Sequence, residues 1–309
     1  MSRTLSPVLA VLVCAALLSV GAQEPAAQDQ EARRIITIEA VGGSSSGNIR
    51  TGPITFTHPE PEGVVATVST LTIYGQQATL RAPEGVAINQ AQGQRTASFE
   101  DGVRVVRGRL SATGPALVYN EESGRGVLNG PAQVTVNPRE EDDDEVEIAA
   151  DEVDFDVDTD TSTSRGNVTL VSGNSSAEAE EIVFEEEREL ARLRDEAGQV
   201  TVVRQSEDGL LTITADEIRV LTADNRLLAR GNVTLTSGNT TSTGDTVYFD
   251  DEAARAEIIG SPARAANEVE GFTISGGRIE QLTDLDVVEL LDGPPGFEED
   301  TFDLTFEQS

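Results

Sequence analysis

A stretch near the C-terminal end of the chain repeats an earlier one almost letter for letter. The segment Gly-Asn-Val-Thr-Leu-Val-Ser-Gly-Asn at 166–174 returns as Gly-Asn-Val-Thr-Leu-Thr-Ser-Gly-Asn at 231–239, an offset of 65 residues. The same offset relates Ala-Asp-Glu-Val at 150–153 to Ala-Asp-Glu-Ile at 215–218. A repeat of this kind is typical of stacked architectures, in which each copy buries its apolar face against its neighbours.

The repeat reaches further back and divides into two. Phe184 corresponds to Phe249, and Tyr119 takes the same place one step earlier. Within the last copy, Ala-Asp-Glu-Ile resembles Gly-Asp-Thr-Val at 244–247, an offset of 29 residues. We therefore predict 65-residue repeats made of two half-repeats of about 29 residues, with a fainter copy before the clear ones. The clear repeats span about 78–136, 148–203 and 213–268.

Alternation of apolar and polar residues predicts strands throughout the repeats. Val-Asp-Phe-Asp-Val at 153–157 is apolar on one face and acidic on the other, and Val-Thr-Leu-Thr at 233–236 has the same period. Turn residues such as Asp224-Asn225 and Ser123-Gly124 lie between the alternating segments. The chain is therefore predicted to be all-β.

Residues 185–194 have high intrinsic helix propensity, because they are rich in Glu, Arg, Leu and Ala. Their counterparts at 120–129 and 250–259 do not, and the first of these contains Ser-Gly-Arg-Gly. Tertiary context overrides propensity in many proteins, so we predict strand, turn and strand in all three copies.

The N-terminal segment has the pattern of a secretory signal. Arg3 is followed by an apolar run over 5–20, and small residues precede a cleavage site after Ala22. We therefore predict a signal peptide at 1–22, a polar linker at 23–33 and an extracytoplasmic, periplasmic location. An uncleaved anchor is the alternative, whereas lipidation of Cys14 is disfavoured because Val13 precedes it. The apolar runs after this segment are shorter than a membrane-spanning helix requires, so no span is expected in the mature chain.

The charge of the chain excludes several kinds of partner. The formal net charge is −33, with 55 acidic and 22 basic residues, and it becomes −34 without Arg3. Such a surface repels phosphate groups, which argues against nucleic acid and against a basic patch for anionic headgroups. Without Cys14 the mature chain has no thiol, so neither a disulfide nor a cysteine-bound metal is expected.

No catalytic constellation is recognisable. His58 is the sole histidine, which excludes a recurring histidine triad and a site with several histidines. The acidic pair Asp151 and Glu152 recurs as Asp216 and Glu217, and a repeated pair is typical of turn or strand-edge residues rather than of a glycosidase. We expect no enzyme activity, no cofactor and no metal.

Two acidic segments lie outside the repeats. Residues 138–147 are interpreted as a solvated loop, with a cation site as the alternative. The repeat fades after residue 270, and 272–274 and 286–290 are predicted to be the last strands. The repetitive domain is thus placed at 34–290, and the acidic segment 291–309 is predicted to be loosely ordered.

The recurring pattern of a small residue, Asp-Glu-x-Val/Ile, then Gly-Asn-Val-x-Leu and an aromatic position resembles the OstA-like family over roughly 78–268. This family includes LptA, the periplasmic bridge of lipopolysaccharide transport. The resemblance implies a folded-over β-jelly roll that holds lipid acyl chains in an apolar slot, without catalysis. It implies that an inward-facing set lines this slot: Ile88, Val103, Val105, Tyr119, Val153, Phe155, Val168, Leu170, Phe184, Ile218, Val220, Val233, Leu235 and Phe249.

Two functional hypotheses remain open. In the first, the chain binds or bridges lipid acyl chains in the cell envelope, and its edge strands pair with further copies or with other OstA-like proteins. In the second, the same residues fill a closed core and the protein is a structural β-rod without a lipid ligand. The two hypotheses differ in whether the apolar faces leave an open slot. The sequence does not identify the lipid or the partners.

Overall fold

The computed structural model describes residues 31–50, 52–140, 144–196, 198–206, 209–285 and 287–307. Over these residues the chain forms 23 strands in one continuous antiparallel sheet, with three short 3-10 helices. The all-β prediction is confirmed. The predicted signal peptide lies outside the described residues, as does most of the linker. No helix in the described ranges has the length and apolarity needed to cross a membrane.

The strands become longer along the chain. The first ten have three to five residues: β1 Thr37–Glu39, β2 Ser44–Gly47, β3 Ile54–Thr57, β4 Val64–Val68, β5 Leu71–Gly75, β6 Gln77–Arg81, β7 Thr96–Glu100, β8 Val103–Arg107, β9 Leu110–Gly114 and β10 Ala116–Asn120. The others are β11 Arg125–Val136, β12 Val146–Asp156, β13 Thr161–Ser172, β14 Ser175–Glu185, β15 Leu190–Arg194, β16 Val200–Ser206, β17 Gly209–Ala215, β18 Glu217–Leu221, β19 Arg226–Ser237, β20 Thr240–Asp250, β21 Arg255–Asn267, β22 Phe272–Leu282 and β23 Val287–Leu290. The 3-10 helices are Ile88–Gln90, Glu299–Phe302 and Thr305–Glu307.

The sheet is folded over into two half-sheets. Half-sheet A contains β1, β4, β5, β8, β9, β16 and β17, and half-sheet B contains β2, β3, β6, β7, β10, β15, β18 and β23. The eight long strands pass from one half-sheet to the other, and their pairing shifts register midway. The strand order places β13 and β19, which begin 65 residues apart, in equivalent positions.

The register shifts keep one face of each long strand pointing inward. In β12 the buried side chains are at even positions up to Ala150 and at odd positions from Val153, because the shift lies between Ala149 and Glu152. Since side chains alternate along a strand, an added residue at a bulge restores the apolar residues to the interior after the bend.

The repeated Gly-Asn sequence forms the bend of β13 and β19. Gly231 has a φ of +78°, and Asn232, with a φ of +48°, donates its side-chain amide to Asp216 Oδ2 at 2.8 Å. In the preceding repeat Asn167 donates to Asp151 Oδ2 at 2.7 Å. The recurring Asp of Ala-Asp-Glu and the recurring Asn of Gly-Asn-Val are therefore partners that fix the bend.

The region around 185–194 adopts strand, turn and strand, as the repeat predicted. β14 ends at Glu185, and β15 begins at Leu190 and pairs with β14. Turns at 121–124 and 251–254 occupy the equivalent places in the other copies. Packing within the sheet has overridden the local helix propensity.

The acidic C-terminal segment was expected to be loosely ordered, and this expectation is wrong for its described residues. Phe302 and Leu304 are 1% and 0% exposed and pack on the outer face of half-sheet B. The composition of the segment suggested disorder because it is acidic. The face that receives it, however, carries several arginines. At the other acidic segment, residues 141–143 lie outside the described residues, and β12 begins at Val146.

Candidate functional site

The two half-sheets face each other across a single apolar layer. All thirteen side chains predicted to line a slot belong to this layer. Twelve are buried, and the half-buried Val220 packs against them. Ile88, which shares their pattern, is also buried there. A closed core and a lipid slot both require this burial, so the lining of any cavity is needed to separate them.

The interior is closed by packing over most of its length. Phe99, Phe155 and Phe184 are at most 1% exposed. Tyr119 is fully buried, and its hydroxyl donates to the Arg34 carbonyl oxygen at 2.7 Å. Burial raises the pKa of Tyr119, so the ring remains a neutral donor.

The side opposite the bends is where turns of the two half-sheets meet, and we call this side the seam. Ion pairs join the half-sheets along it. The pairs are Arg33 with Asp160 (2.8 Å), Arg34 with Asp158, Arg107 with Glu186 (3.4 Å), Arg109 with Glu189 (2.5 Å), Arg139 with Glu189 (3.0 Å) and Arg204 with Asp251 (2.5 Å).

Several of the seam pairs are partly shielded from water. The Arg107 side chain is 4% exposed, and burial lowers its pKa while Glu186 acts in the opposite direction. Burial raises the pKa of Asp251, which Arg204 opposes. Shielded pairs are screened less by salt than exposed ones, and they are costly to break one partner at a time.

The series of ion pairs is interrupted at one place, which we call the window. It lies between residues 172–176 of half-sheet A and residues 222–226 of half-sheet B, where the described residues form no ion pair across the seam. Small polar side chains line its rim, namely Ser172, Ser175, Ser176, Thr222 and Asn225.

A cavity of about 70 Å³ lies behind the window. Its walls are apolar and come from both half-sheets: Leu170, Ala177, Leu193, Val202, Leu211, Ile213, Val220, Leu227 and Phe249. Three of these residues, Leu170, Val220 and Phe249, belong to the predicted slot set. The other ten members of that set do not line this cavity, although they lie in the same layer.

Charge at the window is balanced. Arg204 pairs with Asp251 across the seam, and Arg226 pairs with Asp224 on the side of half-sheet B. In the described part of the chain, no cluster of three or more His, Asp or Glu side chains is arranged to hold a metal ion. The half-buried His58 lies in a turn, where its Nδ1 accepts from the Glu60 amide at 3.1 Å.

Sequence patterns identified the inward-facing set but not the seam or the window. Glu186 and Glu189 stood out only as part of a segment of high helix propensity. The repeat placed them in a turn, but their arginine partners lie 79 and 80 residues away in the sequence. The signal that was available is the recurrence of charged residues at turns, which alternation alone does not connect.

No protein-family model matches the chain, and no curated protein matches it. Among solved structures, it is similar to that of LptH from Pseudomonas aeruginosa, described as the LptA homologous periplasmic component of the conserved lipopolysaccharide transport device. The sequence identity is 16%, and the match covers 42% of this chain and 95% of that chain with a TM-score of 0.33. This is a structural resemblance only, and a TM-score of this size carries no argument about function.

Proposed function

We propose that the protein is a non-catalytic component of the cell envelope that holds the acyl chain of an amphiphile between its two half-sheets. The window and the apolar cavity behind it are the observation that carries this proposal. Both half-sheets contribute walls to the cavity, and the ion pairs of the seam are interrupted where the cavity reaches the surface.

The cavity must widen to accept a long chain. Its volume of about 70 Å³ is far below the roughly 300–1,000 Å³ of typical ligand pockets. Separation of the half-sheets next to the window supplies the missing space. Each methylene group that then leaves water contributes about 0.8 kcal/mol, which offsets the loss of contacts between the half-sheets.

The headgroup would stay outside, at the rim of the window. Both arginines there are paired with aspartates, so the rim offers balanced charge rather than a cationic patch. The chain as a whole carries −33. We therefore expect binding to depend on acyl chain length and only weakly on headgroup charge.

Edge strands supply the means for assembly in this proposal. β1 and β2 border the sheet at one end and β23 at the other, and each leaves one side without a neighbouring strand among the described residues. Val287 and Leu290 on β23 are exposed. Pairing between edges of two copies would continue the apolar layer from one molecule to the next.

Titration with a fluorescent fatty acyl probe tests the proposal. We expect saturable binding that weakens when the acyl chain is shortened. Ala177→Leu fills the cavity and should prevent binding. Phe249→Leu changes the cavity wall, whereas Phe184→Leu removes an equally buried ring 65 residues earlier that does not line the cavity. Only the first of these two variants should alter probe affinity.

The closed packing elsewhere favours one alternative, a structural rod whose layer is simply a core. A folded wild-type protein that does not bind the probe would support the rod and refute the lipid proposal. Equal affinity changes in Phe249→Leu and Phe184→Leu would place any binding away from this cavity.

A further inference from the structure

The outer face of half-sheet B carries a second apolar cluster, separate from the interior layer. Its floor consists of Val183, Leu190, Leu221, Leu228 and Tyr248, and Phe302 and Leu304 of the C-terminal segment cover it. We call residues 297–307 the tail and the surface beneath them the groove. The lipid proposal does not use either.

Aromatic contacts position the tail on the groove. Phe297 stacks on Tyr248 with ring centroids 4.6 Å apart and an angle of 8° between the rings. Phe302 meets the same tyrosine edge to face at 6.2 Å and is 1% exposed. Buried aromatic anchors of this kind carry much of the binding energy in peptide and protein interfaces.

Arginines surround the apolar floor. Arg219 is 5% exposed and donates to the Phe302 carbonyl oxygen at 2.9 Å and to Glu307 Oε2 at 2.8 Å. Arg192 pairs with Glu307 at 2.7 Å. Arg230 pairs with Glu299 at 3.0 Å. In a chain with 22 basic and 55 acidic residues, this concentration of arginine on one surface matches the acidity of the tail.

The groove also recognises peptide backbone. Arg188 donates to the carbonyl oxygens of Thr301 and Asp303, and Glu185 accepts from the Thr305 amide at 3.1 Å. The tail belongs to no strand of the sheet. Contacts to main-chain atoms are available to any peptide with the same backbone path, whether or not it belongs to this chain.

The connection between the tail and the sheet has the composition of a hinge. Residues 293–296 are Gly-Pro-Pro-Gly, and all four are exposed. Detachment of the tail would uncover an apolar, arginine-rimmed surface while the interior layer of the sheet stays intact, because the two clusters share no residue.

We propose that the groove is a docking site for an acidic, phenylalanine-bearing peptide segment of a partner protein, and that the chain's own tail occupies it as a displaceable ligand. The recognised pattern is that of the tail, with Phe at the first position, Phe five residues later, Leu two residues after that, and acidic residues between them. A tethered tail acts at an effective concentration of roughly millimolar, so an untethered partner must bind well to displace it.

The test keeps the full chain and cuts it only after folding. A specific protease site replaces residues 293–296, the folded protein is cleaved, and the released tail is removed at high salt. Circular dichroism before and after cleavage verifies that the sheet is intact. A labelled synthetic peptide covering 297–307 is then titrated into the cut and uncut proteins.

We expect the cut protein to bind the peptide saturably and the uncut protein to bind it at least about tenfold more weakly, because its own tail competes. Arg219→Gln in the cut protein should weaken binding by about tenfold or more, since a buried charged donor is lost. Arg139→Gln, which changes an arginine of the seam, is the matched control and should leave affinity unchanged.

Several results would overturn the proposal. One is a folded, cut protein that does not bind the peptide. Another is equal affinity of the cut and uncut proteins, which would place binding elsewhere. Equal binding of a scrambled peptide would reduce the interaction to charge attraction. Anionic lipid vesicles that displace the tail from the uncut protein when the peptide does not would assign the groove to a membrane surface.

Discussion

Replacing Gly231 by alanine should destabilise the protein in two separable ways. Gly231 forms the bend of β19 with a φ of +78°, where an L-residue with a Cβ is strained. The added Cβ would also lie 2.4 Å from Asp216 Oδ2, the oxygen that accepts the Asn232 amide. Because that oxygen ends a side chain, Asp216 can turn away, but its hydrogen bond to Asn232 is then lost.

The expected magnitude follows from these two parts. Left-handed backbone costs an L-residue about 1–2 kcal/mol, and the lower entropy of unfolded alanine returns roughly 0.4–1 kcal/mol. The lost hydrogen bond at this exposed site adds about 0.5–1.5 kcal/mol. Gly231→Ala should therefore lower the free energy of unfolding by about 1–2.5 kcal/mol.

Gly271→Ala is the matched control. Its φ is +74°, but no atom lies within 4 Å of the added Cβ, so it should show the backbone part alone. In an Asp216→Ala background, Gly231→Ala should also cost only that part. Urea unfolding followed by far-ultraviolet circular dichroism measures all four variants, with coincident transitions by a second probe as the test for two-state behaviour. Equal costs for Gly231→Ala and Gly271→Ala, with no effect of Asp216, would refute the Asp–Asn account of the bend.

Three further predictions concern the tail, the seam and the N-terminus. Burial acts to raise the pKa of Glu307, but the charge of Arg219, the Leu304 amide and Arg192 outweigh it and hold this pKa below its ordinary value of 4.5. Its contribution to tail docking is therefore complete above about pH 4.5 and is lost as the pH falls through the lowered pKa, so the near-ultraviolet signal of Tyr248 should change in acid; a constant signal would contradict this. Asp251→Asn breaks the ion pair beside the window and should accelerate uptake of an acyl probe in stopped-flow measurements, with an unchanged rate as the contrary result. Mass spectrometry of the exported protein should find an N-terminus following Ala22, and an intact or acylated N-terminus would show that the signal-peptide prediction is wrong.

The comparison of the seam with the tail clarifies why the chain is so acidic without being disordered. Many of its arginines lie at places where two parts of the fold meet, such as Arg107 and Arg204 at the seam and Arg219 in the groove. The excess acid is left on the solvated faces. Both the seam pairs and the tail contacts should weaken with rising salt, and the exposed pairs should weaken more than the shielded ones.

The sequence alone determined the strands and the direction in which their side chains point. Alternation in segments such as 153–157 defines an inward face, and the 65-residue repeat transfers that assignment from copy to copy. The repeat also decided correctly for a hairpin at 185–194 against local propensity. These features depend on near neighbours along the chain, which is why a linear pattern contains them.

Only the tertiary structure decided how the surfaces meet. The pairs Arg34–Asp158 and Arg219–Glu307 join residues 124 and 88 positions apart, and no periodicity relates their members. The acidic tail appeared disordered because its composition was considered without the arginine-lined face that neutralises it. The window likewise exists where seam ion pairs are missing, and this follows from which turns the folded-over sheet brings opposite each other. Such contacts depend on the path of the whole chain in space, because burial and charge pairing act between neighbours in three dimensions rather than in sequence.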